Sequence, residues 1–127
     1  MDIFAFKATN SDASNRAVPT MTPLGAALRM PIHAPFPSDR PQDMANFILT
    51  TPGYEGKMVL VCWDHSFMRD LVEALGAPRP PAYPGDRFDL IYKVTYTDPA
   101  HPTFCIALQN LMFDDSDIPP AGFTLCP

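Results

Sequence analysis

Residues 57–76, KMVLVCWDHSFMRDLVEALG, join an uninterrupted apolar run to a helical pattern, and one histidine, His65, stands at the junction. The run KMVLVCW shows no alternation, as expected for a strand covered on both faces. In SFMRDLVEALG, Phe67, Leu71 and Leu75 recur at fourfold spacing and Gly76 supplies a C-terminal stop. The stretch therefore reads as strand, turn and helix, the repeating unit of an α/β fold. Ligands of such folds sit outside the carboxyl ends of the strands, where WDHS falls, and the following helix directs its first amides at the same space. His65 then either faces a cleft or serves the turn by capping the helix or bonding a neighbouring loop. Placement alone leaves both open.

Working outward, DIFAFKA alternates and is short, so it reads as a strand, and the KATNSDASN that follows reads as a polar loop. In TMTPLGAALRM the residues Met21, Leu24, Ala27 and Leu28 fall at helical spacing. PQDMANFIL places Met44, Phe47 and Ile48 on one face behind an N-terminal proline. Both are expected to be helices packed on a sheet. RFDLIYKVTY and TFCIALQNLMF are rich in β-branched and aromatic residues and are joined by the turn-forming TDPAHP. They predict a late hairpin or adjacent antiparallel strands. The sixteen prolines cluster in MPIHAPFPSDRP, APRPPAYPG and DIPPAG, which are loops between elements. The predicted architecture is an α/β three-layer sandwich with a mixed, mostly parallel sheet.

A chain of 127 residues and 14.0 kDa buries one core, so residues 1–127 are expected to form a single domain. A formal net charge of −5, with nine Lys and Arg spread thinly, argues against binding to nucleic acid or to anionic lipid. No apolar run approaches the roughly 20 residues of a membrane helix. A small-molecule partner is expected instead. Cys62, Cys105 and Cys126 are odd in number and lack metal-ligand spacing. With no charged-then-apolar signal segment ahead of DIFAFKA, they read as reduced thiols of a cytosolic protein. The carboxylates of DDSD, Asp114 to Asp117, lack the glycine and terminal glutamate of a calcium loop and read as a solvated turn. No metal or cofactor is expected.

The stretch VLVCWDHSFMRDLVEALG resembles the second histidine motif of the histidine phosphatase, or phosphoglycerate mutase-like, superfamily, in which an apolar strand ends in histidine and an amphipathic helix follows. Upstream, SNRAVPTMTPLGAAL is similar to the segment in which an arginine, here Arg16, precedes an alanine and then a threonine entering a helix. Downstream, YPGDRFDLIYKVTY and LQNLMFDDSDIP are similar to the ends of a bacterial and fungal subgroup. The matches follow in order over most of the chain. Missing is the Arg-His-Gly whose histidine attacks phosphorus in that superfamily. Ile32 and Ala34 flank His33, and His101 lies in a proline turn, so neither fits it. The resemblance thus implies a truncated histidine-phosphatase-like domain that begins at the superfamily's second strand and lacks covalent phosphohistidine chemistry.

What remains of that site is Arg16, a planar fork of donors suited to phosphate or carboxylate, and His65, a proton donor or acceptor near neutral pH. Together they suit isomerisation, elimination or cyclisation of an anionic or carbonyl-bearing molecule without a covalent intermediate. The plain alternative for Arg16 is a surface residue of a loop. Asp64 is expected to cap the helix rather than orient His65, since consecutive strand side chains point to opposite faces. Trp63, Phe67, Tyr83 and Phe88 either line an apolar pocket beside His65 or belong to the core, and Cys62 reads as a buried inert thiol. Three function classes follow: a small repurposed enzyme, a catalytically silent binding or assembly protein, and a fragment of a phosphatase. The missing strand would leave a neighbour's edge open, which predicts a homodimer; if DIFAFKA is itself a protected edge, a monomer follows.

Overall fold

The structure, a computed structural model, describes residues 1–9 and 16–127; most of the polar loop expected after DIFAFKA lies outside them. The elements in chain order are β1 (Asp2–Ala5), α1 (Ala17–Leu28), β2 (Ile32–His33), α2 (Pro41–Thr50), β3 (Val59–Cys62), α3 (Met68–Ala74), β4 (Leu90–Thr95) and β5 (Thr103–Leu108). Strand, turn and helix over residues 57–76 are present as read. Gly76, at φ 95°, ends the helical segment in a conformation that favours glycine.

β2, β1 and β3 form a parallel sheet in that order, with Ile3 opposite Ile32 and Leu60, and Phe4 opposite His33 and Val61. Parallel neighbours need crossover connections, and α1 lies in the one from β1 to β2 and α2 in the one from β2 to β3. α1 packs on all three strands, and α2 and α3 pack on each other. β1 is therefore the central strand, with Ile3, Phe4, Ala5 and Phe6 all buried. This corrects the alternative that DIFAFKA is itself a protected edge. The edges are the two-residue β2 and the half-buried β3, since a local pattern reports that a strand is buried and not who pairs with it.

The expected hairpin forms, with β4 and β5 antiparallel from Leu90–Leu108 to Thr95–Thr103. It does not join the parallel strands, so the predicted mixed sheet is in fact two sheets. The hairpin has a core of its own, in which Leu90, Ile106 and Phe123 are buried against Tyr83, Tyr92, Phe104 and Leu108. The main core gathers Phe4, Phe6, Met44, Trp63 and Leu71.

In α1 the buried positions are Ala17, Met21 and Gly25, whereas Leu24 and Leu28 are exposed by 37% and 42%. The predicted face is thus rotated, because small residues allow the helix to approach β2. A Cβ on Gly25 would lie 2.8 Å from both Ile32 Cδ1 and the Met30 carbonyl oxygen. In α2, Pro41 occupies the first turn and Met44 is buried as expected. Ala45 is buried too, and Phe47 and Ile48 lie at the margin.

Two of the three cysteines are not reduced: Cys105 and Cys126 form a disulfide. Ile106 N–H donates to the Thr124 carbonyl at 2.9 Å and Cys126 N–H to the Ile106 carbonyl at 2.8 Å, so the C-terminal segment runs beside β5 and sets the two sulfurs together. The expectation of reduced thiols is thereby corrected for Cys105 and Cys126, which no spacing in the sequence pairs. Cys62 is free and half-buried, and burial pushes its thiol up. Among the described residues no helix is long and apolar enough to cross a membrane.

Candidate functional site

Beyond its carboxyl end β1 is followed by α1, which packs on the sheet, and its neighbour β3 by α3, which packs with α2. The space outside the carboxyl ends of adjacent strands is the usual ligand position in parallel sheets. A cleft of about 270 Å³ lies there. Arg16 and Thr20 reach it from the start of α1, and Trp63, Asp64 and His65 from the end of β3. Tyr83, Arg87 and Phe88 close it from the segment before β4.

Arg16 is the N-cap of α1, and its carbonyl accepts bonds from Thr20 N–H at 3.0 Å and Thr20 Oγ1 at 2.6 Å. This holds the arginine at the cleft wall. The chain turns from β3 into α3 through Asp64: Ser66 N–H donates to Asp64 Oδ1 at 2.8 Å, and Phe67 N–H to the Asp64 carbonyl at 3.0 Å. Asp64 therefore closes the turn and does not cap the helix as expected, because the turn puts the N-cap at Phe67, which makes no side-chain cap bond. The turn projects His65 into the cleft with its side chain 58% exposed. His65 Nδ1 lies 3.6 Å from Asp64 Oδ1, too far for a hydrogen bond and close enough for an ion pair when the ring is protonated.

The aromatic candidates divide. Tyr83 is half-buried, and its ring centroid lies 6.2 Å from that of His65. Burial pushes its hydroxyl up, and a backbone hydrogen bond from Leu90 pulls the other way. Phe88 stands at the mouth, 89% exposed. Trp63 is 8% exposed, and its indole N–H is committed to the Ser38 carbonyl at 3.0 Å, so it offers the cleft ring surface and no donor. Phe67 is a correction: it is outside the cleft lining and packs on the main core, because the turn that presents His65 folds the next apolar residue inward.

The sequence reading missed the ion pair of Arg87 and Asp89. Arg87 Nε lies 2.8 Å from Asp89 Oδ1 and Nη2 lies 3.0 Å from Oδ2, with Asp89 4% exposed. Hydrogen bonds from Arg87 hold the Asp89 carboxyl below the usual range. Nη1 also donates to the Ile118 carbonyl at 2.9 Å, which fastens the chain after DDSD to the hairpin. With its fork so engaged, Arg87 is a clamp on the cleft wall. The spacing in RFD, two residues apart where a strand begins, places both side chains on one face and was the available signal. The DDSD turn itself is closed by Met112 N–H on Asp115 Oδ2 at 2.9 Å.

Fold and site thus define an α/β protein with a mostly apolar cleft outside the carboxyl ends of two parallel strands, furnished with an imidazole and a guanidinium. Comparisons of the chain with protein-family models, curated proteins and solved structures give no match.

Proposed function

We propose that the cleft binds a small anionic or carbonyl-bearing metabolite, with Arg16 holding the anion and His65 moving a proton on the bound molecule. The observation that carries this is convergence: the start of α1 and the turn after β3 bring a cation and an exposed imidazole to the walls of one cleft. The ordered likeness to the histidine phosphatase superfamily, with its Arg-His-Gly missing, supports acid–base chemistry without a phosphorylated enzyme. Isomerisation, elimination and cyclisation each need a proton removed next to a carbonyl or donated to a leaving oxygen, which is within the reach of one imidazole. The disulfide favours an oxidising compartment for this chemistry. Exchange of solvent deuterium into carboxylate- and phosphate-bearing carbonyl compounds tests the proposal. A hit lost about 10²–10⁴-fold in His65→Ala supports it, and a hit unchanged in that variant refutes it.

A second reading, a binding or assembly protein that pairs with its own copy, is favoured by one surface. Phe113, Phe88, Leu111, Ile118 and Met112 are 108%, 89%, 76%, 72% and 67% exposed. Gln109 N–H on the Asp89 carbonyl at 2.8 Å carries the β4–β5 pairing to the residues next to Phe88 and Asn110, and Asn110, at φ 49°, leads the chain out of the strand toward Leu111–Phe113. The phenylalanines present about 200 Å² each. With the other three residues the patch approaches the roughly 800 Å² per partner of a stable dimer. It borders the cleft mouth, so a twofold homodimer formed through it would also shield the ligand. Light scattering showing twice the 14.0 kDa chain mass, lost in Phe113→Asp, supports this reading; a monomer at every concentration removes it.

A further inference from the structure

A second cavity, of about 490 Å³, opens at the β2 edge of the sheet and shares no lining residue with the cleft. Four aromatic rings surround it, each from a different segment: Phe4 of β1, His33 of β2, Phe47 of α2 and Tyr54 of the connection to β3. Phe4 is the floor, 1% exposed. The Phe47 and Tyr54 rings stand at 71° and 86° to it, with centroids 5.9 and 6.1 Å away, as two walls stand on a floor. The His33 ring is tilted at 40° with its centroid at 5.5 Å. A carboxylate completes the rim, Asp2 lining the cavity, and burial together with the nearby Asp2 pushes the Tyr54 hydroxyl up. No lysine or arginine lines it, and Asp2 enters none of the ion pairs formed among the described residues.

Rings packed only for burial would close on one another, since interiors leave few voids larger than a water molecule. Here Phe47 is 36% exposed, His33 is exposed, and an open volume stands before them. Aromatic faces are the negative pole of the ring quadrupole and attract cations, and organic ammonium groups are held by such cages. An unneutralised carboxylate at the rim repels anions, and a neutral apolar guest gains nothing from it. We infer that this cavity is a binding site for an organic ammonium cation, in which Phe47 and Tyr54, propped on the buried Phe4, flank the methylated or alkylated nitrogen and Asp2 balances its charge. The site is independent of the proton chemistry proposed for the cleft.

Choline is the probe, and 3,3-dimethylbutan-1-ol, which replaces its nitrogen with carbon, is the control. Both are titrated into the whole chain while the Tyr54 and His33 side-chain NMR resonances are followed. The expected result is saturable choline binding, with the neutral isostere about tenfold or more weaker, since charge is the only difference between them. Asp2→Asn and Phe47→Leu, both at positions open to solvent, each lower choline affinity about three- to tenfold while the remaining spectrum keeps its dispersion. Equal binding of the isostere, no saturation by choline, or an Asp2→Asn variant that binds choline as the parent does overturns the assignment.

Discussion

Replacing Cys105 and Cys126 with serine removes the disulfide that fastens the C-terminal segment to β5. The bonded residues are 21 apart in sequence. Closing a loop of that length lowers the entropy of the unfolded chain by an amount worth about 3 kcal/mol at 25 °C. An unfolding entropy of about 2.1 cal/mol/K per residue over this chain turns that into a fall in Tm of about 12 °C. Loss also has an address. Thr124 and Cys126 lie beside Ile106 through two backbone bonds, and Phe123, in the same segment, fills the hairpin core against Phe104 and Tyr92. Release of the segment should deprotect the Ile106 and Cys126 amides before any amide of β1. Calorimetry of the parent, the parent with reductant and the double serine variant measures the first effect, and hydrogen exchange measures the second. A double variant melting within about 2 °C of the oxidised parent, where the loop-entropy relation requires several times that, refutes the reasoning.

Other consequences are local. The Tyr92 hydroxyl is buried without a hydrogen-bond partner among the described residues, so Tyr92→Phe should be neutral or stabilising by about 1 kcal/mol in denaturant titration. Burial pushes that hydroxyl up to about 12 from an ordinary 10.0. Its contribution is thus complete below pH 10 and is lost as pH rises toward 12, a decline that Tyr92→Phe should reduce. Gly25→Ala should destabilise by about 1–2 kcal/mol despite its better helix propensity, because the new methyl meets the Met30 carbonyl at 2.8 Å; a more stable variant in the same titration contradicts the close approach of α1 to β2. Arg87→Leu should free residues 114–118 to rapid proteolysis and remove the acid-range stability linked to Asp89. That stability is present above about pH 4 and lost as pH falls through the lowered carboxyl, so the parent should show the steeper acid decline.

The β3–α3 unit was legible because its evidence is local: an apolar run, a fourfold repeat and a terminal glycine. The hairpin was legible for the same reason, with its turn spelled out by TDPAHP. The centrality of β1 was not, since pairing order depends on crossovers between distant segments. The face of α1 was misread because hydrophobicity singles out Leu24 and Leu28, whereas close packing on Ile32 selects Gly25. The disulfide left no spacing signature, its partners being brought together by backbone bonds at Ile106. In the site, His65 could be placed from its position at a strand's end, whereas Arg16 was singled out by resemblance alone and no local pattern marks it. Phe67 could not, because one step of a turn decides whether a side chain enters the cleft or the core. The cage of Phe4, Phe47 and Tyr54 draws on three segments of the chain and has no pattern in any one of them.

The central claim is that Arg16 and His65 serve one anion-accepting cleft, and the chain's three histidines allow a direct measurement with internal controls. Inorganic phosphate and pyruvate are titrated separately at constant ionic strength, and the Cε1–H resonances of His33, His65 and His101 are followed by NMR. Saturable movement of His65 alone with at least one anion, abolished by Arg16→Gln, is predicted. Contradiction would come from a His65 resonance that moves no more than those of His33 and His101, or that moves equally in the Arg16→Gln protein.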